Sequence, residues 1–287
     1  MSIKQIMQRT SIFWLWLLLA GCVNLKKVND YASTSSKNIK KFEELGYSFV
    51  KACDDKCIIG QLDNKQFKKS DCECKVASNE ADSVTLVLYN AVKDYFDGLE
   101  KLSGNDVTSY KFDALAKALK EGNFGDVKIN KDHVDAYAKI SSILTNAITN
   151  GYRKKSLSKY IGEANDAVKV LLNALQFNLV SNLSKTLETK RERYKDFYFD
   201  LYTDATTSAY EKVKIIQEFN SVNSELDNKK KEIIAFGKGL NTIAQGHQKL
   251  FENKNKLNNK ELKELLSQYA SDIQDIVDEF NKLKNQD

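Results

Sequence analysis

Apolar residues recur at every seventh position between residues 215 and 250. One heptad position holds Phe219, Leu226, Ile233, Leu240 and His247, and the matching position holds Ile215, Val222, Lys229, Phe236, Ile243 and Leu250. Such a repeat keeps two rows of side chains on the face of a helix that packs against a partner helix. The pattern predicts a long helix over 206–252 with coiled-coil-like packing.

The chain contains no proline among its 287 residues. Proline interrupts helix interiors and marks loops, so its absence allows long helices to run without a break. Helical periodicity predicts further helices at 35–57, 79–103, 109–121, 130–152 and 156–203, and a last helix whose apolar row runs from Leu262 to Leu283. Asn130 and Ser156 are the expected N-caps of two of them. We expect a loop with one short extended piece over 122–129.

These elements predict an all-α protein, an elongated antiparallel helical bundle. Short connections make successive helices antiparallel neighbours. We therefore expect a coiled-coil-like C-terminal half, a bundle of three long helices over 156–285. The shorter helices of 35–152 are expected to form a separate lobe beside it.

The first 22 residues have the layout of a signal peptide. Lys4 and Arg9 precede a nine-residue apolar run over 12–20, and the chain turns polar after Gly21 and Cys22. A membrane-spanning helix needs roughly 20 apolar residues, so this run is too short to span. A positive head, a short apolar middle and small residues at the end are typical of a secretory signal peptide.

The sequence Leu19-Ala20-Gly21-Cys22 resembles the lipobox of bacterial lipoproteins, and the resemblance covers residues 1–22 only. It implies that residues 1–21 are removed and that Cys22 carries a diacylglycerol as the first residue of the mature chain, with a tether over 22–34. Two or more acyl chains give a stable membrane anchor. Val23, in place of the Asp that implies retention in the inner membrane, favours the outer membrane, facing the periplasm. The alternative is an ordinary signal peptide that ends in Gly-Cys.

Four further cysteines are Cys53, Cys57, Cys72 and Cys74. An even number in an oxidising compartment predicts two disulfides. If the chain doubles back between the two pairs, they nest as Cys53–Cys74 and Cys57–Cys72 and staple the lobe of 35–152. A four-cysteine zinc site is the competing interpretation, but the usual spacing of two residues between paired cysteines is absent.

Charge and motifs exclude several functional classes. Removal of Lys4 and Arg9 with the signal peptide lowers the net charge from +5 to +3, and no Lys/Arg stripe predicts nucleic-acid binding. No catalytic motif or phosphate-binding glycine loop is present, so we predict no enzyme activity, no cofactor and no metal. His247 lies on the heptad seam, where a lone polar residue specifies register or faces a groove.

The stretch Arg191–Tyr202 is a candidate protein-binding site. Five of the nine residues 194–202 are aromatic, and Arg191 and Arg193 lie beside them. Aromatic residues and arginine are enriched in binding hot spots. The candidate contact residues are Arg191, Arg193, Tyr194, Tyr198, Phe199 and Tyr202. The favoured alternative is that a neighbouring helix covers these rings as ordinary core.

The leading functional hypothesis is a lipid-anchored, non-enzymatic envelope protein that presents a helical bundle to a protein partner, as an adaptor, accessory subunit or exclusion factor. The second is a binding module for an apolar or cell-wall ligand held between helices. A groove lined by Tyr and Phe beside His247 would favour it. An enzyme of unrecognised type is the third.

Overall fold

The computed structural model describes residues 25–63, 75–104, 119–149 and 156–285. Helices form most of this part of the chain, which confirms the all-α class. They are α1 Lys26–Lys40, α2 Phe49–Asp63, α3 Lys75–Ser103, α4 Lys131–Thr149, α5 Leu157–Gln176, α6 Ser184–Thr203, α7 Ala209–Glu252 and α8 Lys260–Lys284. The helix predicted over 109–121 lies mostly outside the described residues, and 119–121 at its end are not helical.

The segment predicted as a loop at 122–129 is a small antiparallel hairpin. Strand β1, Gly122–Phe124, pairs with β2, Val127–Ile129. Gly125 in the turn has φ 56°, a left-handed conformation that glycine adopts without steric cost. Val127 and Ile129 point into the core, so alternation of apolar and polar residues in β2 places the hairpin on the helices.

Helix α1 begins well before the predicted start at residue 35, inside the segment expected to be a tether. Its buried face combines Val28, Tyr31, Ala32, Ser35 and Ile39. The spacing is helical, but the row is partly built from small and polar side chains. Apolar periodicity alone therefore missed the first part of this helix.

The helix predicted over 35–57 is divided into α1 and α2. A 3₁₀ turn, Lys41–Glu44, follows α1, and the chain then changes direction around Gly46. The α2 N-terminus is capped from α3: the Phe49 and Val50 amides donate to the two carboxylate oxygens of Asp82 at 2.8 and 3.2 Å. Cap residues distant in sequence leave no local signal.

Helical structure is continuous from Leu157 to Thr203, in line with the predicted long helix, and passes through a π-helical segment, Phe177–Leu183. A step of four residues turns about 40° too far around an α-helix, so a row with that step drifts off one face. Wider π turns rotate the row back. The buried residues that this keeps on one face are Leu171, Leu175, Leu179, Leu183 and Leu187.

The two predicted N-caps have different outcomes. The His133 amide donates to Asn130 Oδ1 at 3.2 Å, so Asn130 caps α4 as predicted. Ser156 makes no side-chain capping bond to α5, so that prediction is wrong.

One hydrophobic core joins the predicted lobe to the predicted bundle. Helix α1 packs against α3, α7 and α8, and α8 packs mainly on α7 and α1. Glycines of α7 permit the close approach of α1. A Cβ at Gly239 would lie 2.2 Å from Asn38 Oδ1, and one at Gly246 would lie 2.5 Å from the Tyr31 ring. We expected the bundle of residues 156–285 to form its core without other helices. In the structure, α1 also packs against α7 and α8.

Candidate functional site

The end of the α6–α7 hairpin extends beyond the core. Leu187 and Leu226 are the last buried residues on the two helices, and none of residues 188–225 between them is buried. We call this segment the α6–α7 tip. Its two helices pack on each other through half-buried contacts, among them Tyr198 and Phe219, whose ring centroids lie 5.9 Å apart. At the base of the tip, Lys190 also contacts Asp55 of α2 at 2.7 Å.

Apolar side chains of the α6–α7 tip face solvent. Phe199 is 64% exposed and Tyr202 is 41% exposed, while Tyr194 and Tyr198 are half-buried. The interpretation of this stretch as core is therefore wrong for Phe199 and Tyr202, because no further helix in the described part of the chain covers these two side chains. Helix α7 also contributes exposed apolar side chains to the tip, namely Tyr210, Val213 and Ile216. The sequence pattern had not indicated these residues.

Hydrogen bonds fix the turn of the α6–α7 tip. The Thr206 amide donates to Asp204 Oδ1 at 2.7 Å, and hydrogen bonds from Thr206 lower the pKa of Asp204. Ser208 and Glu211 form a capping box at the start of α7, with the Ser208 amide donating to Glu211 at 2.8 Å. The helix ends that carry the exposed rings are therefore joined by a defined turn.

The two candidate arginines have different surroundings. Arg191 lies 2.5 Å from Glu188 and 4.0 Å from Asp227, so its guanidinium joins α6 to α7. Lys230 also contacts Glu188, and this hydrogen bond is the main cause that lowers the pKa of that carboxyl. Arg193 is exposed. Arg191 is better explained as a positioning residue of the hairpin, whereas Arg193 stays on the candidate surface.

His247 lies in the core, 2% exposed. Its Nε2 shares a hydrogen bond of 2.7 Å with the Tyr95 hydroxyl, and Tyr160 donates to the Tyr95 backbone carbonyl at 2.9 Å. Burial lowers the pKa of His247 to about 4, so the ring is neutral at pH 7. The seam position is thus occupied by a polar residue with a defined partner on α3.

A groove of about 450 Å³ runs along α5 and α7 above His247, and Tyr269 of α8 also lines it. Most other lining residues are polar, including Asn165, Asn241 and Gln245. A groove beside His247 was one of the expected possibilities, but its lining is richer in amides than in Tyr and Phe.

The predicted lipid and disulfide sites fall only partly in the structure. Cys53 and Cys57 lie one turn apart on α2, and both are half-buried. Cys22, Cys72 and Cys74 lie outside the described residues. Lipidation and the nested pairing therefore stay predictions.

Two further properties concern metals and membranes. The described ranges contain no group of three or more His, Cys, Asp or Glu side chains placed to hold a metal ion. Within those same ranges, every helix is too short or too polar to cross a bilayer.

The chain was compared with protein-family models, with curated proteins and with solved structures. None of these comparisons gave a match.

Proposed function

We propose that this chain is a lipid-anchored, non-enzymatic protein of the bacterial cell envelope that presents the α6–α7 tip to a protein partner. The observation that carries the proposal is the exposure of Phe199, Tyr202 and Tyr210 on the two helix ends that flank a turn fixed by hydrogen bonds. Large exposed apolar patches rimmed by polar residues mark interaction sites. An adaptor, accessory or exclusion role is compatible with this geometry.

The charges around the α6–α7 tip favour a protein over an anionic surface. Over residues 188–225, six basic side chains are mixed with eight acidic ones: Lys190, Arg191, Arg193, Lys195, Lys212 and Lys214 with Glu188, Glu192, Asp196, Asp200, Asp204, Glu211, Glu218 and Glu225. Attraction to anionic lipid or nucleic acid requires an excess of positive charge. Mixed charges around exposed aromatic rings are typical of a protein interface.

Replacement of Phe199 by Ala is expected to weaken partner binding while it changes the free energy of unfolding by less than about 0.5 kcal/mol, because the ring is exposed. A photo-crosslinking amino acid at position 199 should give a discrete adduct in whole cells. Phe177 is the matched control, since it is 61% exposed on the same helical rod but outside the α6–α7 tip. Equal adducts at positions 177 and 199 would contradict the proposed interface.

The anchor in this proposal is the lipid on Cys22, and the location is the periplasmic face of the outer membrane. The Cys22→Ser variant should release the protein into the periplasmic fraction or leave it uncleaved, because the thiol that receives the lipid is absent. Metabolic labelling with a palmitate analogue measures this directly. Equal labelling of wild type and variant would refute the assignment.

We also propose that two nested disulfides staple the N-terminal helices, and that the C-terminal half is an elongated antiparallel, coiled-coil-like bundle. Cys53 and Cys57 lie four residues apart in α2, so both thiols can reach a segment that doubles back over one face of this helix. Peptide mapping without reduction should yield Cys53 linked to Cys74 and Cys57 linked to Cys72. Recovery of four free thiols from envelope-derived protein would exclude the staple.

The alternative function, a binding module with its ligand between helices, is favoured by the groove between α5 and α7. The amide groups of its lining favour a ligand that carries hydrogen-bonding groups, since amides buried against hydrocarbon lose hydrogen bonds to water.

A further inference from the structure

We propose that the groove between α5 and α7 binds a saccharide. Its volume of about 450 Å³ lies within the range of roughly 300–1,000 Å³ that is common for small-molecule sites. The groove lies in the core-packed part of α7 and the α6–α7 tip lies beyond it. The inference therefore stands or fails independently of the protein-partner proposal.

Side-chain amides line both walls of the groove. Helix α5 supplies Asn165 and Asn173, two turns apart, and α7 supplies Asn241 and Gln245, one turn apart. Each carboxamide offers two donors and an acceptor. A ligand that satisfies such walls carries donors and acceptors on adjacent atoms, as the neighbouring hydroxyl groups of a sugar do.

The groove also presents apolar surface, as the mixed polar and apolar surface of a sugar requires. The branched apolar side chains of the groove are Val168 and Leu172, and each is only 1% exposed because its surface is used in the core. Tyr269, half-buried on α8, adds an aromatic ring with an apolar face and a polar hydroxyl, a combination that suits the mixed surface of a pyranose ring.

Two of the polar side chains that line the groove are buried. Asn165 is 6% exposed and donates to Asp166 Oδ1 at 3.1 Å, and His247 is held by Tyr95 as described above. Side chains fixed in this way lose little conformational freedom when a ligand binds. The site is therefore built before its ligand arrives.

The two histidines of the chain allow a direct test. His247 reports on the groove, and His133 at the start of α4 is an internal control. In the full chain labelled with ¹³C-histidine, titration with the trimer of N-acetylglucosamine should shift the ring signals of His247 and leave those of His133 in place. A parallel titration with the glucose trimer shows whether the acetamido group contributes: a shift with either trimer supports the site.

The matched variants are two pairs of alanine substitutions on α7. Asn241→Ala with Gln245→Ala removes amides from the groove, while Gln217→Ala with Asn220→Ala removes exposed amides elsewhere on the helix. The first pair should weaken binding about tenfold, as expected for the loss of several hydrogen bonds, and the second should not change it. No His247 shift with either trimer at millimolar concentration, equal shifts of both histidines, or unchanged affinity in the groove pair would overturn the proposal.

Discussion

Acidification from pH 7 to pH 4 is expected to lower the free energy of unfolding by about 3 kcal/mol through His247 alone. Burial lowers the pKa of this ring from the ordinary 6.5 to about 4 in the folded protein. The unfolded chain therefore takes up a proton near pH 6.5, and the folded protein takes it up only near pH 4. Between these values the unfolded state binds more protons, so stability falls as the pH falls. Above pH 6.5 the contribution is constant.

Chemical denaturation at several pH values, with wild type and His247→Gln compared, isolates this effect. Carboxylates contribute to the pH dependence of both proteins equally, so the difference between the two curves reports the histidine. Between pH 7 and pH 4, the free energy of unfolding of wild type should decrease by about 3 kcal/mol more than that of His247→Gln. His133→Gln is the matched control, since burial lowers the pKa of His133 in the same direction but the ring is only half-buried. Parallel curves for wild type and His247→Gln would disprove the prediction.

The heptad pattern predicted the long helix α7 but not how many helices surround it. Leu240, Ile243 and Leu250 are buried as the pattern indicates. Ile215 and Phe219 occupy the same rows and are only half-buried, because among the described helices it is α6 that packs against α7 at the tip. Periodicity identifies the face of a helix that packs, whereas the number of neighbours depends on the lengths of the other helices.

The same reason explains the error about the aromatic stretch. A dense group of aromatic rings on α6 is compatible with a buried core or with an exposed interface. The two cases differ in whether a further helix covers the rings, which the sequence pattern does not show. Helices α5, α7 and α8 meet near His247, far along the chain from Phe199. Exposure of Phe199 thus follows from the length of the hairpin, which no local motif encodes.

The groove was only partly predictable. The seam position of His247 indicated register or a groove, and the structure gives it a hydrogen bond to Tyr95 together with a place in the groove lining. The amides on α5 and α7 were not recognised as a set. In the sequence, each amide resembles an ordinary surface residue. Their proximity becomes apparent only when α5 and α7 are seen side by side in the structure.

The sequence did not predict a role for the glycines of α7. We nevertheless expect Gly239→Ala to destabilise the protein by about 2 kcal/mol. Overpacking costs roughly 1–3 kcal/mol, and the better helix propensity of alanine offsets about 1 kcal/mol of it. The cost should lie at the upper end of this range, because the new Cβ would lie within 2.2–2.5 Å of three atoms of Asn38, which is 1% exposed and cannot move into solvent.

Gly60→Ala on α2 is the matched control. An added Cβ meets nothing within 4 Å there, so this variant should gain up to about 1 kcal/mol.

A double-mutant cycle with Asn38→Ala identifies the cause of the loss. Asn38 Nδ2 is buried without a hydrogen-bond partner in the described part of the chain, so truncation of this side chain removes no bond from that nitrogen and leaves mainly a cavity. In wild type, Asn38→Ala should therefore destabilise, since a cavity forms. In the Gly239→Ala background the same truncation should stabilise, because the new methyl group occupies the space that the amide vacates. Unfolding free energies of the four proteins give the coupling energy. Additive effects would show that α1 and α7 do not approach each other at this position, and the packing of α1 into the core would have to be revised.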